Sequence, residues 1–175
     1  MTSSLVVTVI GRDRPGIVNQ LSDAARACGA NWAGSRMASL AGEFAGMVHF
    51  EVAPDRADEL ARALRALETS GLQVVIAKGL PAASVETRRT LHLDVVGQDR
   101  PGIVRDVSAK LAQRGVSIHE LRTAVESAPM SAEQLFRMSA TLAVPAEVTD
   151  DAVKASLESV ANEMMVDVTL ARESP

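Results

Sequence analysis

"GRDRPGIV" spans residues 11–18 and "GQDRPGIV" spans residues 97–104, so seven of eight letters return 86 residues later. A proline and two glycines in so short a span constrain the backbone, which makes the phrase one structural device used twice. Ahead of its first copy, "SLVVTVIG" is a β-branched run ending at glycine. It predicts a strand from Leu5 to Ile10, central in a sheet and buried on both faces. Behind it, Ile17, Val18, Leu21, Ala24, Ala25 and Cys28 form a helical stripe that stops at Gly29, a residue suited to a C-terminal cap.

Further along, "NWAGSRMASLAGEFAGMVHFEVAP" predicts two strands turning at Ala41 and Gly42, with Phe44, Gly46, Val48, Phe50 and Val52 alternating onto one face. "DRADELARALRALETSG" carries Leu60, Ala63, Leu64 and Leu67 at helical spacing, and "LQVVIA" ends the unit as a strand. The order is βαββαβ. The second half repeats it through "TLHLDVVG", "PGIVRDVSAKLAQRG", "VSIHELRTAVES", "EQLFRMSATLAV", "TDDAVKASLESVANEM" and "MVDVTLA". Phe136, Met138, Ala140, Leu142 and Val144 match Phe44 to Val52 at an offset of 92 instead of 86, which puts six extra residues in the second hairpin, around "ESAPMSAE". The fold class is α+β, two ferredoxin-like sandwiches in tandem, each an antiparallel sheet with helices on one face. The expected boundaries are 1–79 and 89–175, joined by a linker at 80–88.

Composition narrows the function classes. Net charge is −4, and basic residues are scattered apart from Arg88 and Arg89, which argues against a phosphate-neutralising face and hence against direct nucleic-acid binding. The aromatics are Trp32, Phe44, Phe50 and Phe136, too few for a base-stacking platform. No apolar run approaches the ~18 residues of a membrane span, and the amino terminus lacks the pattern of a secretory signal, so the expected location is the cytoplasm. A single cysteine, Cys28, permits no intramolecular disulfide and is expected in the core. His49, His92 and His119 follow no metal-ligand spacing. There is no nucleophile with a paired base, no P-loop and no acidic metal-binding pattern. The expectation is a protein that is not an enzyme and holds no cofactor or metal.

The stretch "VTVIGRDRPGIVNQLSDAARACGANWAGSRMASLAGEFA", residues 7–45, resembles the first ACT domain of the glycine cleavage system transcriptional repressor family, and the resemblance extends over nearly the whole chain. It implies a regulatory module that binds a small amino acid, glycine being the first to try, and a protein partner such as a transcriptional activator. A homodimer is left open. The alternative is an ACT regulatory or assembly module associated with an amino-acid or folate-linked enzyme, since formyltetrahydrofolate deformylases carry a similar phrase.

The residues themselves explain how the phrase could hold such a ligand. A helix beginning there offers unpaired N–H groups and a positive dipole end to a carboxylate, while Gly16 and Gly102 admit close approach. Asp13 and Asp99 can accept from an ammonium, and Asn31 can donate to a carboxylate; Ser117 replaces it in the second unit. In the amino-acid-binding relatives, the positions matching Asp13 and Asn31 are contact positions. The candidate ligand-binding set is Gly11, Asp13, Arg14, Pro15, Gly16, Ile17 and Asn31 in the first unit. In the second it is Gly97, Asp99, Arg100, Pro101, Gly102, Ile103 and Ser117. Structural readings stand beside these. Asp13 and Asp99 fit helix caps, Pro15 and Pro101 fit a first helical turn, and Asn31 fits a turn. Arg12, Arg14 and Arg100 fit solvated loop positions, and Met164 and Met165 fit core gaps.

Overall fold

The computed structural model describes residues 2–79, 88–127 and 134–172, and the chain divides into two compact units, Met1–Val85 and Glu86–Pro175. The linker expected at 80–88 lies outside the described residues except for Arg88, as does most of the second-hairpin insertion.

In the first unit the elements run β1 (Ser3–Arg12), α1 (Ile17–Ala27), β2 (Asn31–Leu40), β3 (Glu43–Val52), α2 (Ala57–Arg65) and β4 (Leu72–Lys78). The strand order is β2-β3-β1-β4, with each neighbouring pair antiparallel. Leu5, Val7 and Val9 of β1, Val48 and Phe50 of β3, and Leu72 and Val74 of β4 form one core with Ile17, Leu21 and Ala25 of α1 and Leu60 and Leu64 of α2. Each large side chain so buried contributes roughly 1.5–3 kcal/mol. Trp32 extends this core, its ring meeting Phe50 edge-on with centroids 5.3 Å apart.

The second unit repeats the plan with β5 (Arg89–Gln98), α3 (Ile103–Gln113), β6 (Ser117–Ser127), β7 (Gln134–Val144), α4 (Asp150–Met164) and β8 (Val166–Arg172), in the order β6-β7-β5-β8. Phe136, Met138, Ala140, Leu142 and Val144 are all buried, as the alternation requires. Both units are ferredoxin-like βαββαβ sandwiches. Even irregularities recur. Each hairpin carries a bulge just after the second residue of its first strand, between Trp32 and Gly34 and between Ile118 and Glu120.

The expectation of a first strand buried on both faces is corrected. β1 is central, but its outer face is open, with Thr8 exposed and Ile10 43% exposed. Both helices of a unit share one core with one sheet face, and an antiparallel sheet tolerates an uncovered second face. Helix ends follow the glycine reading. After α1, the Gly29 N–H reaches the Arg26 carbonyl at 3.0 Å and the Ala30 N–H reaches Ala25 at 2.9 Å, and Gly115 and Val116 repeat the arrangement after α3. This is the Schellman closure. Cys28 is buried. Met164 packs against the second core, whereas Met165 is 63% exposed at φ 54° and fills no gap: it is the left-handed cap residue of α4. Arg89 belongs to β5, where its guanidinium donates to the Val148 carbonyl and pairs with Asp150 at 3.2 Å.

Candidate functional site

The repeated phrase forms the connection from β1 to α1 and from β5 to α3. Gly11, the residue before the last of β1, sits at a point of close backbone approach. A Cβ there would lie 2.8 Å from the Gly71 carbonyl oxygen and 2.9 Å from the Leu72 side chain, and at Gly97 it would meet Val166 at 2.6 Å. These two glycines answer a packing demand. Gly16 and Gly102 answer a conformational one, with φ of 93° and 105° as the residues that open each helix.

Three of the structural readings are therefore corrected. Neither Asp13 nor Asp99 caps its helix, because Gly16 and Gly102 hold the cap position without any side-chain hydrogen bond. Pro15 and Pro101 precede that position instead of entering the first turn. Asn31 is not a turn residue, since it begins β2 and its amide donates to Glu51 at 3.4 Å.

In the first unit the loop is tied down on two sides. The Asp13 N–H donates to the Gly42 carbonyl at 3.0 Å, and the Asp13 carboxylate accepts from the Ser39 hydroxyl at 2.6 Å, joining the loop to the β2–β3 hairpin. Arg14 donates to Gln20 at 2.9 Å and to the Ser70 hydroxyl at 3.0 Å, joining it to α1 and to the turn before β4. Above Gly16 the space is open, with nothing within 4 Å of an added Cβ. The first hydrogen bond along the helix is Gln20 N–H to Gly16, so the N–H groups of Ile17, Val18 and Asn19 precede it without a side-chain cap. The Ile17 side chain itself is in the core, as is that of Ile103.

The second loop differs. Asp99 keeps its backbone tie to the hairpin, at Gln134, while Arg100 turns back to Gln98 at 3.1 Å. Asp106 stands in the first turn of α3, where Gln20 stands in α1, and its carboxylate comes within 3.6 Å of where a Cβ would lie on Gly102. An anion is thus already present at the positive helix end. Sequence reasoning passed over Gln20, Ser39, Ser70 and Asp106. The Gln20/Asp106 and Ser39/Val125 differences were available from aligning the two copies; that these side chains meet the loop is decided by the fold.

The structure does not bring Asp13 and Asn31 together. β1 and β2 are parallel, each pairing antiparallel with β3, so Asp13 lies beside the Glu43 end of β3 and Asn31 opposite Glu51. Eight strand residues separate them, about 27 Å at ~3.4 Å per residue. Ser117, opposite Ala143, is likewise at the far end of its sheet from Asp99, and its hydroxyl accepts from Arg88 at 3.1 Å.

Elsewhere, His49 shares a 2.7 Å hydrogen bond with Ser4 across β3 and β1. Among the described residues no group of three or more His, Cys, Asp or Glu side chains could hold a metal ion, and no helix is long and apolar enough to cross a membrane.

The sequence matches the ACT domain family over residues 3–77. No functionally curated protein matches it significantly. Among solved structures, an unknown protein from Galdieria sulphuraria is 34% identical, with a TM-score of 0.88 over 99% of this chain and 100% of that one. A candidate glycine cleavage system transcriptional repressor is 20% identical, with a TM-score of 0.74 over 100% of this chain and 99% of that one, a likeness of fold.

Proposed function

The chain belongs to the ACT-domain family, and we propose that it is a non-catalytic cytoplasmic regulator that senses a small amino acid, glycine first, and acts on a transcriptional regulator through protein contact. The observation that carries this reading is the open helix end at Gly16, whose N–H groups face no side-chain cap and no acidic residue in the first turn. A carboxylate placed there gains roughly 0.3–1 kcal/mol, rising to ~2 when partly buried. Asp13 borders the same loop and supplies an acceptor for the ammonium. Asp106 pre-empts the equivalent place in the second unit, so the ligand is assigned to the first. The whole-length likeness of fold to a candidate glycine cleavage system transcriptional repressor agrees with that kind of target. With a net charge of −4, the reading includes no direct contact with nucleic acid.

Asn31 enters this site only from elsewhere, because about 27 Å of strand separates it from Asp13 in its own unit. One ligand can meet both residues when two copies of the chain supply them, so the proposal includes a homodimer. Calorimetric titration with the twenty amino acids is the test. At ~100 times its dissociation constant the right ligand stabilises the protein by roughly 2.7 kcal/mol, about 5–10 °C in melting temperature. Asp13→Ser and Asn31→Ala should each weaken binding at least tenfold, about 1.4 kcal/mol, with the unliganded melting temperature little changed. Asp99 and Ser117 variants should matter less. An equimolar mixture of the Asp13 and Asn31 variants should recover one intact site per mixed dimer. A flat response to all twenty amino acids would sink the sensor and favour an assembly module.

A further inference from the structure

The uncovered faces of the two sheets differ in relief. On the second sheet, two rows cross three strands: His92, Thr141 and Glu120 lie in register, and Asp94, Ser139 and Arg122 lie in register beside them. The middle strand, β7, contributes only short hydroxyl side chains, while its neighbours carry longer charged or polar ones. The result is a groove of about 350 Å³, lined by these six residues together with Leu93 and Ala140, within the range of small-molecule sites. At the matching places the first sheet has Val6, His49 and Gly34, and Thr8, Met47 and Arg36. There the bulk is central, flanked by Val6, Gly34 and Thr8 with Arg36 the one long neighbour, and Met47 is 52% exposed. The same backbone makes a ridge in one unit and a groove in the other, so the groove is a product of side-chain choice.

Its charges are arranged for a dipole. Arg122 and Asp94 stand on opposite walls, two strand spacings or about 9.6 Å apart at the backbone, and no ion pair joins them among the described residues. A simple anion would find Arg122 and also meet the carboxylates of Asp94 and of Glu120, two residues along β6, and a simple cation would find those carboxylates and also meet Arg122. A molecule with both charges satisfies both walls, its carboxylate against the guanidinium fork, its ammonium against Asp94, and its polar edge over the Ser139 and Thr141 hydroxyls. We infer that this groove is a second binding site, taking a small zwitterion of the α-amino acid class. The inference rests on the groove's own residues and is independent of the Gly16 loop.

The test is amide NMR of the full chain titrated with glycine and then each of the other nineteen amino acids. The expected result is saturable shifts at Arg122, Ser139 and Thr141. Arg122→Gln, and Ser139→Met, which installs the side chain found at position 47, should each weaken this response at least tenfold; both positions are exposed, so folding should survive. The N-acetylated ligand, lacking the ammonium, and its amide, lacking the carboxylate, should each lose at least tenfold. Shifts confined to residues 12–18, or none at these three positions with any amino acid, would overturn the groove site. So would equal binding of the N-acetylated ligand. Shifts in the groove alone would instead uphold it while removing the loop site.

Discussion

Gly11 and Gly16 stand five residues apart in one phrase and are glycine for unrelated reasons. At Gly16 the obstacle to a side chain is the φ of 93°, since the space above it is empty. At Gly11 the obstacle is the start of β4, with the Gly71 carbonyl oxygen 2.8 Å and the Leu72 side chain 2.9 Å from an added Cβ. Gly16→Ala should therefore cost roughly 1–2 kcal/mol, and Gly16→Asn less, because asparagine tolerates positive φ. Gly11→Ala should cost roughly 1–3 kcal/mol through overpacking, with asparagine no better. Urea denaturation of the four variants measures this; equal costs for alanine and asparagine at position 16 would remove backbone strain as the reason for that glycine. The charged residues of the phrase diverge similarly. Asp13 and Asp99 share a letter, yet Asp13 also accepts the Ser39 hydroxyl, and position 125, the repeat of 39, is a valine.

Elements show where the chain carries avoidable strain. The β2–β3 hairpin turns through Ala41 at φ 52° and Gly42 at φ 85°, the two positive values of a type I′ turn, for which Asn-Gly is the favoured pair. Ala41→Asn should raise stability by roughly 0.5–1 kcal/mol. Met165 holds the left-handed position after α4, where Gly71 does so before β4. Met165→Gly should be stabilising by a similar margin, because the side chain is largely exposed and little packing is lost. Thermal melts check both; a fall in melting temperature for either would mean that its side chain makes a contact worth more than the strain. These turns escaped sequence reading in different degrees. Ala41–Gly42 was legible as the reversal between two alternating strands, whereas Met165, inside an apolar run, looked like core until the helix end fixed its φ.

For the whole molecule, the separation of Asp13 from Asn31 makes ligand binding and self-association one equilibrium under the proposed function. Anything that binds only the dimer shifts protomers into it by mass action. Sedimentation velocity at protomer concentrations near the dimer dissociation constant should therefore show the dimer fraction rising with the active amino acid, and Asn31→Ala should abolish the rise. A ligand that binds with unchanged sedimentation would confine the site to a single copy. Titration of the Asp13 loop and of the Ser139 groove should be additive, since the two sites share no side chain.

How much was readable beforehand follows from the range of the forces involved. Periodicity at Leu5–Ile10, Ile17–Cys28 and Phe44–Val52 was enough for two βαββαβ units, because alternation and helical spacing are local consequences of burying one face. Gly29 announced its helix end, because a left-handed residue is a local need. The return of seven letters of eight in a phrase containing Pro and Gly also marked the two loops as equivalent in backbone. What the sequence determined alone was thus everything set by neighbours along the chain. Only the tertiary structure decided that β1 and β2 run parallel, which places Asn31 and Asp13 at opposite ends of a sheet. It also decided that Ser39 and Ser70 close on the first loop, and that hydroxyls at 139 and 141 lie between charges on 94 and 122 to make a groove. Those relations depend on strand pairing and register, contacts between residues tens of positions apart, which no local pattern specifies.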